Sequence, residues 1–186
     1  MSQEVEVKLR ISNVKQVEEK LRGLGAKLVD IVEEEDHYID LAPCINMRDL
    51  DIALRVRRSR SLVRDAMVEE MTFKGRRVSE FPKIRKEITV NISNVESVLE
   101  IFRELGFRNI YVVSKTRKVY VLNKMKIFLD SVKGLGQFME VELLEPTDLN
   151  IFRDELAKLF TAIGVDESYI ERKTYLELLL EKKGFV

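Results

Sequence analysis

The chain has 186 residues, 45% of them hydrophobic, which is enough for a real core and excludes a disordered segment. Lysine plus arginine equals aspartate plus glutamate at 32 each, so no global basic field is available to recruit nucleic acid. The single cysteine, Cys44, excludes an internal disulfide; with no apolar leader and no run of 18 apolar residues, the expectation is a cytoplasmic protein that contacts neither membrane nor nucleic acid.

The first element is EVEVKLR, Glu4 to Arg10, in which Glu4, Glu6, Lys8 and Arg10 alternate with Val5, Val7 and Leu9. A period of two predicts a strand with one apolar and one ionised face. ISNVKQVEEKLRGLG (11–25) follows as a helix, with Ser or Asn as N-cap, Val14, Val17, Leu21 and Leu24 at helical spacing, and glycine as the stop. KLVDIVEEEDHYIDL returns as a strand, a loop with Pro43 and Asn46 leads to IALRVRRS, and VEEMTFKG comes next. FPKIRKEITV then begins a second copy, because ISNVESVLEIFRELG (92–106) repeats the first helix 81 residues downstream, and Glu87 takes the place of Glu6. RNIYVVSKTRKVYVL turns at Asn123-Lys124 into MKIFLDSV, and Gly134 and Gly136 turn the chain again into QFMEVELLE, which Pro146 ends. DLNIFRDELAKLFTAIG is helical, with Leu149, Phe152, Leu156, Phe160 and Ile163 on one face, and SYIERKTYLELLLEKK is read as a last helix.

Two copies are too few for a solenoid, so the prediction is one domain (1–180) of two pseudo-symmetric halves, about 1–80 and 81–180, with a tail at 181–186. The class is α+β with an antiparallel sheet of eight strands. The ionised faces have two homes: water, on an open sheet, or the lumen of a closed barrel whose apolar exterior carries the helices. The density of arginine and clustered acid favours the closed barrel. Its lining then carries Lys8, Arg10, Arg55, Arg57, Lys74, Arg85, Lys115, Arg117 and Lys126 against Glu4, Glu6, Glu87, Asp130, Glu140 and Glu142, an excess of about three positive charges. Such a lumen suits a triphosphate, with roughly four negative charges, and hard divalent cations on the carboxylates. One histidine and one cysteine argue against zinc.

At this point the residues carry a resemblance. Glu4-x-Glu6-x-Lys8 near the start resembles the signature of the CYTH superfamily, the triphosphate tunnel metalloenzymes. DHYID, LRVR, TFKG, the KTR around Lys115 and Arg117, LDSVKGLGQFMEVE and a terminal KTYLELL follow in the family's order. The stretch from Leu135 to Glu142 is similar to the class IV adenylyl cyclase branch. The resemblance implies a closed eight-stranded antiparallel tunnel that binds ATP or another triphosphate with Mg²⁺ or Mn²⁺. By position, Glu4, Glu6, Asp130, Glu140 and Glu142 would hold metal, and Lys8, Arg55, Arg57, Lys74, Arg85, Lys115 and Arg117 would cradle phosphate. Tyr38 and Lys74 stand where triphosphatase members activate water, and Lys173 would close a tunnel mouth. Plain alternatives stand beside three of these: Asp130 as a turn cap, Tyr38 as an ordinary strand aromatic, Lys173 on a solvated helix face. His37 is expected exposed, Cys44 a loop thiol, and Met47, Met67 and Met71 gap fillers or loop residues.

Two reactions share such a cradle: cyclisation of ATP to cyclic AMP and pyrophosphate, and hydrolysis of inorganic triphosphate, thiamine triphosphate or a nucleotide. A non-catalytic polyphosphate sensor would have no use for the acidic pairs. An RNA triphosphatase would need a basic approach path that the balanced charge does not supply. A homodimer is left open.

Overall fold

The computed structural model describes residues 2–144 and 149–185, apart from the side chains at 2, 3 and 80. The elements in chain order are β1 (Ser2–Arg10), α1 (Val14–Gly23), β2 (Lys27–Ile39), β3 (Ala53–Ser61), β4 (Ala66–Glu80), β5 (Lys83–Asn91), α2 (Val95–Glu104), β6 (Ile110–Leu122), β7 (Met125–Val132), β8 (Gly136–Leu143), α3 (Leu149–Ile163) and α4 (Tyr175–Lys182). The eight strands form a closed antiparallel barrel in the order β1-β5-β4-β3-β2-β6-β7-β8. Closure removes the sheet edges and settles the two homes of the ionised faces in favour of a lumen.

The sequence repeat becomes a symmetry of the wall. β1 pairs with its counterpart β5, and β2 with its counterpart β6. In the first pair Glu4 lies opposite Arg85, and in the second Glu34 lies opposite Lys115. Each residue is thus paired with its own equivalent 81 positions away, as happens where a local two-fold axis crosses an antiparallel pair. Divergence of the copies has made one partner acidic and the other basic at both crossings.

The helices form where caps and apolar faces coincide. Asn13 and Asn94 are the N-caps of α1 and α2, their side chains accepting from the Gln16 and Ser97 amides at 3.1 and 2.8 Å. Gly25 and Gly106 stop both helices at φ +86° and +95°, a conformation that only glycine adopts without cost. α1 and α3 lay Val17, Leu21, Phe152, Leu156 and Phe160 over the outward apolar residues of β1, β7 and β8, forming the main core. Leu21, Phe152 and Leu156 are sealed from water, each contributing about 1.5–3 kcal/mol of burial. α2 seats Val95 and Leu99 on Ile39 and Val56. No helix among the described residues is long and apolar enough to cross a membrane.

The last helix is shorter than expected and begins at Tyr175, where Thr174 and Glu177 close a reciprocal capping box. The residues before it make a 3₁₀ turn at Glu167–Tyr169 and an isolated bridge from Ile170 to Leu9, so they cannot join the helix. Pro146 lies outside the described residues; β8 is seen to Leu143. The turns at Asn123 (φ +53°), Gly134 and Gly136 fall where expected. Cys44 is exposed in the loop, Met47 is buried, Met67 is exposed, and His37 is half-buried beside Glu35 rather than exposed.

Candidate active site

The lumen is a cavity of about 720 Å³. Strand parity places Lys8, Tyr38, Arg55, Arg57, Lys74, Arg85, Lys115, Arg117, Glu4, Glu6, Glu140 and Glu142 around it. Asp130 stands directly behind Arg117, fully buried, and is no turn cap. α4 covers one end, with Thr174, Tyr175 and Leu176 reaching the cavity and Tyr175 packed edge-on against Phe138 at 5.0 Å. Lys173 is the one phosphate candidate left outside. Its ammonium is half exposed and binds Glu181 at 2.7 Å, and only its backbone carbonyl turns inward, accepting from Lys8 Nζ at 3.3 Å.

Sequence reasoning missed several lining groups. Glu34 and Asp36 enter from β2, Glu70 from β4 and Lys83 from β5, while Arg10 leaves for the surface to pair with Glu171. The run Glu33-Glu34-Glu35-Asp36 hides its parity, since every position is acidic. The lining holds ten basic and nine acidic residues, so the predicted excess of about three positive charges is corrected to near balance.

The charges are sorted into three networks. In the first, Arg57 grips Asp36 through two nitrogens and reaches Glu34 at 3.1 Å, while Lys115 bridges Glu34 and Asp36 at 2.8 and 2.7 Å. Burial alone would raise the Asp36 carboxyl, but Arg57, Lys115 and Arg55 hold it well below the usual carboxylate range. Glu34, under the same opposition, falls to about 2. In the second, Arg117 binds Asp130 and Glu140, Lys8 approaches Glu140 at 3.3 Å, and the Tyr175 hydroxyl donates to Asp130 at 2.7 Å. In the third, Lys74 is held by Glu4 and Glu87, and Lys83 by Glu6. Burial would lower Lys74, yet Glu4 and Glu87 keep it above its ordinary value.

Two features are left unsatisfied by these networks. Arg55 Nε and Arg85 Nε are buried with no hydrogen-bond partner among the described residues, which costs free energy unless an acceptor arrives. Glu142, directly opposite Glu6 in the β1–β8 register, is pushed up to about 7 by burial and by the fields of Glu4 and Glu6, against the pull of Lys126. An anion on the arginines and a cation among the acids would relieve both.

A CYTH domain matches residues 2–175. This chain belongs to the CYTH family. Among CYTH relatives, a Methanocaldococcus jannaschii protein provisionally named an adenylate cyclase is 31% identical over 177 residues, covering 94% of this chain and 97% of the relative. Adenylate cyclase CyaB of Aeromonas hydrophila is 25% identical over 178 residues, covering 94% and 87%. A solved structure of a Pyrococcus horikoshii protein superposes with a TM-score of 0.82 at 36% identity, covering 96% of this chain and 99% of that one.

The CYTH tunnel implies a divalent metal. Among the described residues no three metal-ligating side chains stand close enough to chelate an ion in this arrangement, because Glu4 and Glu6 are drawn to Lys74 and Lys83. The donor chemistry nonetheless fits a hard cation. Glu4, Glu6 and Glu142 are oxygen donors, and their mutual repulsion at Glu142 is what such an ion removes.

Proposed function

We propose that this CYTH protein is a divalent-metal-dependent enzyme that encloses a triphosphate in its tunnel and converts ATP to cyclic AMP and pyrophosphate. CYTH proteins act on triphosphates, and the cyclase names of two relatives that match nearly the whole chain favour the cyclisation. The observation that carries the reading is the pair of orphaned, buried Arg55 and Arg85 donors in a lining already balanced in charge. Phosphate oxygens satisfy such donors through charge-assisted bonds of about 1.5–3 kcal/mol each. In a balanced lumen a tetra-anion needs accompanying positive charge, and Glu4, Glu6 and Glu142 would hold it. When bound, the ion supplies Lewis-acid polarisation of the phosphate oxygens.

The residues then divide the work. Arg55, Arg57, Lys115 and Arg117 exchange carboxylate partners for phosphate oxygens and fix the chain of phosphates. Tyr175, tied to Asp130, keeps water out at the α4 end. The ribose 3′-hydroxyl oxygen bonds to the α-phosphorus, the bond from that phosphorus to the bridging oxygen breaks, and the hydroxyl proton ends on the departing pyrophosphate, so the step balances as ATP to cyclic AMP and protonated pyrophosphate. Lys74, kept protonated by its glutamates, acts as a cation toward the phosphates and not as a base.

Triphosphate hydrolysis is the second reading. Tyr38 and Lys74 line the same cavity, which that chemistry also uses. Incubation with ATP, inorganic triphosphate and thiamine triphosphate, each with Mg²⁺ and Mn²⁺, separates the two. Cyclic AMP with equimolar pyrophosphate supports cyclisation; orthophosphate alone replaces it with hydrolysis; no turnover of any substrate removes both.

A further inference from the structure

Glu34 and Asp36 both enter the lumen from β2, but they are held there in different ways. Asp36 is fully committed. Arg57 meets its two oxygens through Nε and Nη2, Lys115 Nζ lies 2.7 Å from Oδ2, and Arg55 Nε stands 3.8 Å from Oδ1. Glu34 has a lighter hold on two of the same cations. Its Oε1 accepts from Arg57 Nη1 at 3.1 Å, and its Oε2 lies 2.8 Å from Lys115 Nζ. That second approach lacks the angles of a hydrogen bond, so Oε2 is buried with attraction but no hydrogen-bond partner among the described residues.

The difference decides which carboxylate can be displaced. When Glu34 withdraws, Arg57 and Lys115 each keep their contact with Asp36, so the cradle stays anchored while Arg57 Nη1 and part of the Lys115 ammonium become free. Glu34 carries one methylene more than Asp36, which gives its carboxylate a further torsion with which to turn along the lumen. A phosphate group offers a guanidinium and an ammonium the same kind of oxygen that a carboxylate does. The two anions cannot share these donors, because like charges at contact distance repel.

We infer that Glu34 is a built-in competitor of the bound anion: it occupies the Arg57 and Lys115 donors in the empty tunnel, yields them to a triphosphate, and takes them back from the pyrophosphate left after reaction. This rests on the triphosphate reading of the lumen and adds to it a residue that sets affinity and product release. A triphosphate brings enough oxygens to Arg55, Arg57, Lys115 and Arg117 to outweigh the exchange, and pyrophosphate brings fewer. Glu34 thereby weakens the hold on every anion and keeps the product from blocking the site. The stability that this carboxylate lends the empty barrel is what an entering anion must replace, so the two effects are linked.

The test is calorimetric binding of two probes, inorganic triphosphate and pyrophosphate, in EDTA so that no metal supports turnover. The unaltered protein is compared with Glu34→Gln and Glu34→Asp. Glu34→Gln removes the charge; Glu34→Asp keeps it on an arm too short to hold both donors, which separates occupancy of the donors from the field of the charge. The expected result is pyrophosphate bound about tenfold more tightly in Glu34→Gln and about threefold more tightly in Glu34→Asp, with triphosphate tightening in the same order. Where Glu34→Gln fails to fold, Glu34→Asp decides alone. Tightening in Glu34→Gln without any in Glu34→Asp assigns the effect to net charge and overturns the competitor. Unchanged or weaker binding in both variants overturns it as well, and either result leaves the tunnel reading standing. No binding of triphosphate to the unaltered protein overturns the tunnel reading itself.

Discussion

Glu34 and Lys115 face each other across the β2–β6 pair with Nζ 2.8 Å from Oε2, and each is the other's counterpart in the 81-residue repeat. Both are buried, so the pair has exchanged hydration for mutual attraction and for the neighbouring Asp36 and Arg57. Removing one partner leaves a buried charge without compensation. Glu34→Gln or Lys115→Met alone should therefore cost about 3–5 kcal/mol in urea unfolding, and the double variant clearly less than their sum. Strict additivity would show that the two charges do not act as a pair.

Glu142 makes stability depend on pH in a definite sense. Its carboxyl titrates at about 7 in the folded chain and near its ordinary value, 4.5, when unfolded. Between those values the folded state holds the extra proton, so stability falls as pH rises through the window and stays low above it. Glu142→Gln lacks this penalty. Thermal melts in EDTA should show the variant gaining on the unaltered protein from pH 5 to 7.5, and added Mg²⁺ should narrow the gap at pH 7.5. Parallel pH profiles would remove Glu142 from the acidic cluster.

Tyr175 ties α4 to the tunnel wall. Its hydroxyl donates to Asp130, its ring lies under Lys8 Nζ at 4.0 Å, and burial with the fields of Glu140 and Asp130 raises it well above an ordinary phenol. Tyr175→Phe keeps the packing and deletes one hydrogen bond to a charged acceptor, which should cost about 1.5–3 kcal/mol. Hydrogen exchange should then rise first in α4. Unchanged protection there would mean that packing alone holds the helix.

Lys173 gives a contrast within the same segment. Its ammonium is committed to Glu181 outside the lumen, so Lys173→Ala should bind inorganic triphosphate within twofold of the unaltered protein. A tenfold loss would bring Lys173 into the tunnel on binding.

Much of this was legible in the chain itself. Alternation in EVEVKLR, LRVR and FMEVE gives the strands and the face of each charge except Arg10, which at the end of β1 turns out to Glu171. The repeat gives the cap positions of α1 and α2, Asn13 and Asn94. Parity fails where the sequence stops alternating: four consecutive acids conceal Glu34 and Asp36, and the turn after Phe81-Pro82 conceals Lys83. Lys173, whose ammonium lies on Glu181 outside the lumen, is a different case. Its environment is set by where a capping box starts α4, and by a bridge from Ile170 to a strand 161 residues earlier. The closure of the barrel has no local signature, since it arises from contacts distant in sequence.

Arg55, whose buried Nε has no hydrogen-bond partner among the described residues, probes a phosphate chain in the tunnel most directly. Equilibrium binding of inorganic triphosphate should be saturable with one site in the unaltered protein and at least tenfold weaker in Arg55→Met, with far-ultraviolet circular dichroism unchanged in the variant. Equal affinity in the two proteins, or no binding to the unaltered one, would contradict the account.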